Sequence, residues 1–586
     1  MNQSLKWRLK KAIPHNISDN ISQHPKLLAQ LLFNRGFSAL EKIDEFFNSD
    51  YILSLGDPMK IKNMDRAVAR TIEAIGNKEK IVVYGDYDAD GICATSIVYK
   101  FLKEAGIDCD VYIPDRFKEG YGLNLDSVSA IIKKGTKLII TVDCGITDFK
   151  EIELCNQNKV DVIILDHHLP LGDMPKAYAI VDLKQEGETY SFTDFCGAGL
   201  AFKFVCALFK MPYFKERVKE GFEKWLLDLA SLATIADMVP LRGENRTIVK
   251  YGLMVMLKTR WAGLSALLKK TGLDKKNRLT GGDVAFRMAP RINAASRMDH
   301  ATTSFELLNT DSPEEIKILV DRLEEKNTDR QVLVADIVKE IERRLLDAEE
   351  LPDVIIEGSA DWSSSVAGLV ASKIVEKYQK PAFIYAIDNE KKTARGSCRS
   401  IHGYNLVGAM EGAGEFLIEF GGHKAASGFH LKLENCEKFS EYIQNDYKKF
   451  LIDGPPEKYL EIDCEIDIEE ISAHLYKELE KLQPFGVGNE EPVFLAKSLR
   501  LSEKRDVGSG KNHAKLKLLG FFKEGTGVKT LSAMLFNSKN KFDDISAGDN
   551  IDVVFSLEEN IWNGTSEIFL KVIDFAKKDE KVIIQM

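Results

Sequence analysis

The sequence has no apolar run of the ~18 residues that a membrane-spanning helix needs. Its nine cysteines are scattered singly without a CxxC pair, which argues against a zinc knuckle and against a disulfide framework. It also lacks a GxxxxGK(S/T) phosphate loop, an internal repeat, and a secretory signal behind its basic first residues. We therefore expect a cytoplasmic protein without a membrane segment.

The chain has no excess of positive charge. It has 80 Lys and Arg against 90 Asp and Glu, a net charge of −10, which disfavours a protein that coats nucleic acid nonspecifically. A nuclease is not excluded, because a metal site needs clustered acids and a DNA path needs only a local basic strip. The length of 586 residues corresponds to roughly three or four domains.

Apolar periodicity divides the chain into five segments. We predict an N-terminal helical segment over 1–50, a parallel-sheet α/β catalytic domain over 51–265, an arginine-bearing segment with a long connecting helix over 266–350, a second α/β domain over 351–453 and a small oligonucleotide-binding-type β-barrel over 457–586. The charge-rich pattern that predicts the connecting helix is also compatible with a simple solvated helix.

Three short apolar runs rich in Val and Ile are each followed by acidic residues. The runs are Lys80–Gly85, Lys137–Val142 and Val160–Leu165, and each is short enough for a buried strand. Ligands of a parallel α/β sheet bind outside the carboxyl ends of its strands. The residues expected at this edge are Asp86, Asp88, Asp90, Asp143, Asp166, His167 and His168. Because so many acids repel one another without a cation, the sequence predicts a multi-metal hydrolase.

Simpler explanations exist for parts of this pattern. The segment DYDADG at Asp86–Gly91 resembles the start of a calcium-binding EF-hand loop, but Ile97 stands where that loop needs Glu, and a strand precedes it instead of a helix. Asp143 alone could be a helix cap. Asp237 alone could be a helix-end charge, since it follows a predicted long, partly buried helix over 215–236. Asp143 is a candidate metal ligand because it matches the acidic ends of the other two strands.

Carboxylates with one or two imidazoles favour Mn²⁺ or Mg²⁺ over structural zinc. Two such ions roughly 3.5–4 Å apart can clamp a phosphate and activate water. The second half of the chain adds cations and glycines that suit phosphate contacts, although any single arginine could be a solvated charge. These residues are Arg287, Arg291, Arg297, Arg399, Gly421, Gly422 and His423.

These motifs resemble a known family. DYDADG, DCG, DHH and the Asp of TIADMVPL are similar to the four motifs of the DHH phosphoesterases, and APRINAASRM, GSCRS, GGHKAASGF and LQPFGVGNEEPVF resemble further motifs of the RecJ exonucleases within that family. The resemblance runs from about residue 25 to about residue 570. It implies a DHH domain, a DHH-associated domain and a C-terminal oligonucleotide-binding (OB) barrel. It also implies a 5′→3′ exonuclease on single-stranded DNA that releases mononucleotides in DNA repair and recombination.

The resemblance also implies roles for individual residues. Two Mn²⁺ or Mg²⁺ ions would be held by five ligands, with Asp143 as the bridge: Asp88, Asp90, Asp143, His167 and Asp237. Asp86 would orient the ligands, Asp166 would hold the histidine loop, and His168 would act beside the scissile phosphate. Arg291 would contact that phosphate, while Arg399 and His423 would grip neighbouring phosphates or the 5′ end. Implied partners are single-stranded DNA, a RecQ-type helicase and a single-strand-binding protein, with the enzyme itself a monomer.

The sequence departs from the family pattern at two places that matter here. Ser296 stands where the family usually has Gly, which predicts a tighter or strained turn, and Ser363 replaces the His of a Trp-His-Pro-Gly motif. Two other functions stay open: a phosphodiesterase of small substrates such as cyclic dinucleotides, and a catalytically inactive scaffold at a replication fork. The barrel argues against the first, and the intact acids and His167 argue against the second.

Overall fold

The computed structural model describes residues 6–15, 25–170, 172–454, 457, 459–508, 512–522, 527–536, 545–562, 565–577 and 583–585. These residues form four sheets and the helices around them. None of the described helices is both long enough and apolar enough to cross a membrane.

The N-terminal region packs on the C-terminal barrel. It contains strand β1 (Lys6–Leu9) and three helices, Lys26–Asn34, Leu40–Phe47 and Tyr51–Ser54. Apolar residues of the first two helices, such as Leu31 and Ile43, share one core with Phe494 and Phe555 of the C-terminal region. The prediction of a purely helical segment over 1–50 is therefore wrong at β1, because tertiary pairing decides the conformation of so short a run.

The catalytic domain is built on a parallel five-stranded sheet. Its strands are β2 (Lys80–Gly85), β3 (Asp110–Tyr112), β4 (Thr136–Val142), β5 (Asp161–Leu165) and β6 (Ala179–Val181), and their order across the sheet is β3-β2-β4-β5-β6. All pairs are parallel. The three apolar runs of the sequence are β2, β4 and β5, which are buried in the sheet as predicted.

Helices cover both faces of this sheet. They are, in chain order, the 3₁₀ turn Pro58–Lys60, Met64–Gly76, Ala89–Glu104, Leu125–Lys133, Phe149–Gln157, Gly197–Phe209, Pro212–Lys215, the 3₁₀ turn Phe222–Leu226, Leu227–Ala236, Gly243–Met256 and Ala262–Thr271. The single helix predicted over 215–236 is wrong, because the chain turns at Gly221 with a φ of 80° and the helix that precedes Asp237 begins only at Leu227.

A long helix connects two lobes. After Gly281–Asp283, the π-helical turn Val284–Met288, Ala289–Met298 and Thr302–Asn309, the helix Pro313–Asp347 runs for 35 residues. Its first half buries Leu319 and Leu323 against the catalytic lobe, and its second half buries Ile337 and Ile341 against the next lobe. Because both halves carry buried apolar residues in different cores, it is a connecting helix and not a solvated one.

The second lobe has a mixed sheet. Its strands are β7 (Ile355–Ser359), β8 (Ala382–Asp388), β9 (Thr393–Arg399), β10 (Leu417–His423) and β11 (Ala426–Lys432), in the order β10-β11-β9-β8-β7. Its helical elements are Ser364–Tyr378, Leu406–Gly412, Gly414–Phe416, Leu433–Asn435, Cys436–Phe450 and Leu451–Asp453.

The C-terminal region forms the predicted barrel. It contains β12 (Tyr459–Ile462), β13 (Cys464–Glu465), helix Ala473–Glu480, β14 (Phe494–Val507), β15 (His513–Phe521), β16 (Val528–Leu535), β17 (Asn550–Trp562), β18 (Thr565–Lys577) and β19 (Ile583–Gln585). The barrel order β14-β15-β16-β18-β17 closes through pairing of β14 with β17. Strand β1 lies between β12 and β19, so both ends of the described chain meet beside the barrel. The fold class is confirmed, while the five segment boundaries stay a prediction.

Candidate metal centre

The carboxyl ends of three neighbouring strands place acidic residues at one edge of the catalytic sheet. Gly85 of β2, Val142 of β4 and Leu165 of β5 lie in register across the sheet. The residue that follows each of them is an aspartate, and Asp86, Asp143 and Asp166 are all buried. The convergence that the sequence predicts for these strand ends is therefore present.

These aspartates form overlapping clusters with His167 and other acids. The groups Asp86–Asp88–Asp143, Asp90–His167–Asp237 and Asp143–His167–His168 each offer ligand atoms within 4.8 Å of one another. His167 Nε2 lies 3.2 Å from Asp143 Oδ1, 3.8 Å from Asp90 Oδ2 and 3.9 Å from Asp237 Oδ2. Asp143 and His167 each belong to two of these groups, so the groups overlap at these two residues.

The electrostatics of the cluster also suit cations. Burial and the neighbouring carboxylates raise the pKa of Asp90 to about 6 and that of Asp237 to about 8, and the pKa values of Asp86 and Asp143 lie well above their usual range. Asp86 Oδ1 and Asp143 Oδ1 are buried without a hydrogen-bond partner. Because an unpaired buried carboxylate is costly, these residues fit a bound divalent cation. The geometry thus favours Asp86 as a ligand, whereas the resemblance implied an orienting role.

Backbone groups fix the carboxylates. Asp88 caps the helix Ala89–Glu104 and accepts hydrogen bonds from the backbone N–H groups of Asp90 and Gly91 at 2.8 and 3.1 Å. Asp90 accepts from the N–H groups of Gly197 and Ala198, at the start of another helix, at 2.6 and 2.8 Å. Both carboxylates therefore face a helix N-terminus, where negative charge is stabilised.

Two residues that sequence reasoning missed support this arrangement. The Asn293 side chain accepts a hydrogen bond from Ala89 N–H at 2.8 Å and so joins the helix Ala289–Met298 to the DYDADG loop. A side chain at Gly197 would place its Cβ 2.5 Å from Asp143 Cβ. Asn293 lies within the quoted RINAAS motif, but only the three-dimensional contact reveals that Gly197 must be small.

His168 is oriented by a buried carboxylate. Asp166 accepts hydrogen bonds from the backbone N–H groups of His167, His168 and Ile146, and its Oδ1 lies 2.8 Å from His168 Nδ1. Burial alone would lower the pKa of His168, but the hydrogen bond and charge of Asp166 raise it to about 9. The ring is therefore protonated at neutral pH, with Nδ1–H on Asp166 and Nε2–H left for another acceptor. Asp166 thus contacts the backbone of both histidines and the ring of His168, while its functional role stays a prediction.

Two further polar side chains contact the histidine pair. Tyr121 Oη donates to the Asp143 carbonyl at 3.1 Å and lies 2.9 Å from His168 Nδ1. Lys184 Nζ donates to the carbonyl of His167. Sequence reasoning missed both residues. The Gly-Tyr-Gly sequence around Tyr121 is the one signal that could have drawn attention to it.

A cluster of arginines lies beside the acids. Burial and the positive charges of Arg116, Arg330 and Arg399 together lower the pKa of Arg297 to about 10, against a smaller raising effect of Asp88. Arg297 donates to the Ser365 carbonyl at 2.7 Å, and Arg330 Nε is buried without a partner. In the part of the chain that the structure describes, no carboxylate lies within 4.0 Å of these four guanidinium groups. Cations without carboxylate partners, contributed by both lobes and the connecting helix, suit a polyanionic ligand.

The other residues predicted to contact phosphate differ in their surroundings, and the charge of Arg291 also acts on Arg330. Arg291 is paired with Glu324 of the connecting helix at 2.6 and 3.0 Å, and Arg287 donates to the Thr271 carbonyl. Gly421, Gly422 and His423 lie on β10, the exposed edge strand of the second lobe. Their contact with a phosphate stays a prediction.

The two departures from the family pattern have plain structural outcomes. Ser296 lies inside the regular helix Ala289–Met298, where its hydroxyl donates to the Asn293 carbonyl at 3.2 Å, so the expected tight turn is wrong. Ser363 caps the helix Ser364–Tyr378, and its hydroxyl contacts that of Ser365 at 2.8 Å. Ser363 therefore retains a polar group beside the arginine cluster.

Comparison with known proteins gives consistent results. Family models of the DHH family N-terminal domain, the DHHA1 domain and the RecJ OB domain match residues 80–234, 351–449 and 462–574. The single-stranded-DNA-specific exonuclease RecJ of Bacillus subtilis is 35% identical over 557 residues, 94% of this chain and 68% of that protein. The protein of the same name from Thermus thermophilus is 32% identical over 562 residues, 93% of this chain and 74% of that protein.

A solved structure extends this similarity to the fold. The crystal structure of RecJ in complex with Mn²⁺ from Thermus thermophilus matches with a TM-score of 0.82 at 28% identity, over 99% of this chain and 81% of that one. The sequence similarity covers nearly the whole chain, and the three domain types occur in the order that the motifs predicted. The chain therefore belongs to the RecJ family of DHH phosphoesterases.

Proposed function

We propose that this protein is a metal-dependent exonuclease that hydrolyses the phosphodiester bonds of single-stranded DNA. The observation that carries the proposal is the buried acid and histidine cluster, in which Asp86 Oδ1 and Asp143 Oδ1 have no hydrogen-bond partner. Arg297, on whose charge Asp88 acts, and three further arginines have no carboxylate partner among the described residues. The names of the relatives, single-stranded-DNA-specific exonucleases, support the substrate.

Two divalent cations, Mn²⁺ or Mg²⁺, fit the cluster. One would be held by Asp86, Asp88 and Asp143, and the other by Asp90, His167 and Asp237. Asp143 Oδ1 lies 3.2 Å from His167 Nε2, so Asp143 would also reach the second ion. Bound there, they would neutralise the acids, polarise the phosphate and supply an activated water near neutral pH. RecJ structures from Thermus thermophilus in complex with Mn²⁺ and with Mg²⁺ support this choice of ion.

The chain's own residues account for the remaining chemistry. His168, held by Asp166, presents a protonated Nε2–H that stabilises negative charge on the phosphate or donates its proton to the leaving oxygen. Arg297 and Arg399 hold phosphates of the strand, and Arg116 and Arg330 extend that set beyond the residues that the motifs indicated. Arg291 would join them only by exchanging its partner Glu324.

The finer features of the proposal rest on the family. They are entry at a 5′ end, release of 5′-mononucleotides, a role in DNA repair and recombination, and partnership with a RecQ-type helicase and a single-strand-binding protein. We also propose a cytoplasmic monomer, supported by nine cysteines that are all free, which suits a reducing compartment. The barrel supports a long, single-stranded substrate over a dinucleotide.

The test is digestion of end-labelled DNA. Wild-type protein with Mn²⁺ or Mg²⁺ should degrade single-stranded but not duplex DNA, and the first labelled product should be a mononucleotide from the 5′ end. Asp143→Asn should abolish hydrolysis while the protein stays folded, because Asn tolerates the left-handed φ of 62° at this position. Asp126→Asn, at an exposed helix position, is the matched control and should retain full activity.

Degradation of dinucleotides alone would favour the small-substrate function. No hydrolysis by wild-type protein with either metal, despite tight binding of DNA, would favour the inactive scaffold. Near-wild-type turnover by Asp143→Asn would remove the assigned bridging ligand.

A further inference from the structure

Tyr121 lies on a short loop that the flanking backbone holds in place. Gly120 and Gly122 on its two sides have φ values of 83° and 85°, a region that favours glycine. Tyr84 Oη donates to the Gly122 carbonyl at 3.2 Å, and Leu123 N–H donates to Asp148 at 2.7 Å. A Cβ at Gly122 would lie 2.7 Å from that carboxylate, so the loop is closely packed after Tyr121. The position of Tyr121 is therefore fixed by the fold.

The Tyr121 hydroxyl joins two parts of the metal centre. It donates to the Asp143 carbonyl at 3.1 Å, and its oxygen lies 2.9 Å from His168 Nδ1, where it accepts a share of the N–H that Asp166 also accepts at 2.8 Å. Asp143 has a φ of 62°, a conformation that residues other than glycine rarely adopt, and its N–H donates to the Leu165 carbonyl at 2.9 Å. The backbone of Asp143 is therefore held at both ends: its carbonyl accepts from Tyr121, and its N–H donates to Leu165 of β5.

The Tyr121 ring is exposed, although its hydroxyl faces inward. The residue retains 43% of its accessible surface, and the ring meets that of His168 edge to face, with centroids 5.3 Å apart. Leu169, the residue after His168, is 61% exposed as well, so the histidine loop also presents an apolar side chain to solvent. An exposed aromatic ring next to a group that acts on a phosphodiester is placed to stack on a nucleobase.

We propose that Tyr121 has two roles in one side chain: its hydroxyl positions His168 against Asp143, and its ring stacks on the base of the nucleotide being removed. The proposal rests on the proposed exonuclease function and adds to it a contact with the base. It also explains why a nuclease that must accept every base would use an aromatic face here, since every base has a π-face.

Two substitutions separate the roles. Tyr121→Phe removes the hydroxyl and keeps the ring, so we expect kcat on single-stranded DNA to fall roughly tenfold while KM stays within about twofold. Tyr121→Leu removes both, so we expect the same fall in kcat together with a KM that is roughly tenfold higher. Tyr112→Phe is the matched control: it removes a hydroxyl that donates to Glu119 in the same loop, at 2.6 Å, and should leave both constants unchanged.

A modified substrate tests the stacking without relying on a variant. An oligonucleotide that lacks the base of its terminal nucleotide should show a KM roughly tenfold higher with wild-type protein. With Tyr121→Leu the same modification should change nothing further, because the ring is already absent. Thermal denaturation of each variant shows whether it is folded.

The outcomes are distinct. A wild-type kcat for Tyr121→Phe would overturn the positioning role. Equal KM values for Tyr121→Phe and Tyr121→Leu, or an equal penalty for the missing base in wild-type and Tyr121→Leu protein, would overturn the stacking role. Absence of any degradation by the wild-type protein would refute the exonuclease function instead.

Discussion

Gly197 is a residue at which a single methyl group should disable the metal centre. Its Cβ would lie 2.5 Å from Asp143 Cβ and 2.6 Å from Asp143 Oδ1, so Gly197→Ala must displace the Asp143 carboxylate or the helix that begins at Gly197. We expect hydrolysis to fall about 100-fold or more, since small displacements of reacting groups have effects of this size. Titration calorimetry with Mn²⁺ should show weakened binding as well.

The control for Gly197→Ala is Gly76→Ala. Gly76 is the last residue of the helix Met64–Gly76, and a Cβ there would meet nothing within 4 Å. This variant should be fully active. If Gly197→Ala kept wild-type activity and Mn²⁺ affinity, the contact between Gly197 and Asp143 would not constrain the site.

The raised pKa of Asp237 predicts how the stability of metal-free protein depends on pH. Burial and the charges of Asp90 and Asp88 raise this pKa from 3.8 to about 8, so the folded chain holds a proton that the unfolded chain has released. The free energy of unfolding should therefore fall as pH rises toward 8. His168, with its pKa raised to about 9, adds to this fall. Burial lowers the pKa of His167 from 6.5 to about 3, which makes the free energy of unfolding rise with pH, but only below pH 6.5. The fall in the free energy of unfolding is therefore clearest between about pH 6.5 and 8.

Thermal denaturation of chelator-treated protein across this range measures the effect. We expect Tm to fall with rising pH, Asp237→Asn to remove part of the fall, and saturating Mn²⁺ to reverse it, because a bound cation favours charged carboxylates. A Tm of the metal-free protein that rises from pH 6.5 to 8 would contradict the assignment.

At the residue scale, the sequence predicts the acidic edge of the sheet better than it predicts the partners of individual side chains. Asp86, Asp143 and Asp166 follow short buried strands, so local pattern and sheet topology together bring them to one edge. The partners of Arg291 and Tyr121 are different, since Glu324 and His168 lie 33 and 47 residues away along the chain. The pattern of apolar residues does not show which of several polar groups, distant in sequence, such a side chain will contact.

At the element scale, β1 lies at the beginning of the described chain but is part of the structure formed by its C-terminal region. Strand β1 pairs with β12 and β19, and Trp7 is fully buried, with Nε1 donating to Asp574 of β18 at 2.9 Å. Removal of a buried Trp side chain typically costs about 3–5 kcal/mol. We expect Trp7→Ala to lower the free energy of unfolding of the barrel region by about that amount.

Urea unfolding followed by circular dichroism tests this expectation. Leu53→Ala, at a position that is 86% exposed, is the control and should change stability little. Mn²⁺ affinity should be the same in both variants, because the metal centre lies in another lobe. If Trp7→Ala were as stable as the control, β1 would not contribute to the barrel.

Element length decides what could be predicted. The connecting helix has 35 residues with sustained periodicity, and the strands of the catalytic sheet are compact apolar runs, so both were evident from the sequence. Strand β1 is a run of only four residues that alternates charged and apolar side chains, and the turn at Gly221 interrupts an otherwise helical pattern. Tertiary pairing determines where such a short strand forms, and a single glycine can determine where a helix ends. A periodicity averaged over many residues reveals neither.

At the scale of the whole molecule, the net charge of −10 and a polyanionic substrate are compatible because the charges are segregated. The acids that could hold cations lie at one sheet edge, and the arginines beside them come from the catalytic lobe, the connecting helix and the second lobe. Substrate phosphates would therefore bridge elements that are far apart in the chain. The connecting helix, which is buried in both lobes, keeps these elements at a fixed separation.

The barrel should supply affinity for long strands but not the chemistry. On β15 the residues Ala514, Leu516 and Leu518 are buried, whereas Lys515 and Phe521 are exposed, with Phe521 at 56%. In barrels of this type the second and third strands contact oligonucleotides, and β15 is the second strand here. We expect Lys515→Glu combined with Phe521→Ser to raise Kd for a long single strand roughly tenfold, with saturated turnover of a short oligonucleotide unchanged.

The dependence of binding on salt identifies the cause of this change. The loss of one phosphate contact at Lys515 should make the negative slope of log K against log salt shallower by about 0.7, whereas the loss of stacking at Phe521 should leave that slope unchanged. Lys438→Glu makes the same change of charge at an exposed position of the helix Cys436–Phe450, so it is the matched control. An affinity for long strands that is equal in the double variant, the control and the wild-type protein would place the DNA path away from β15.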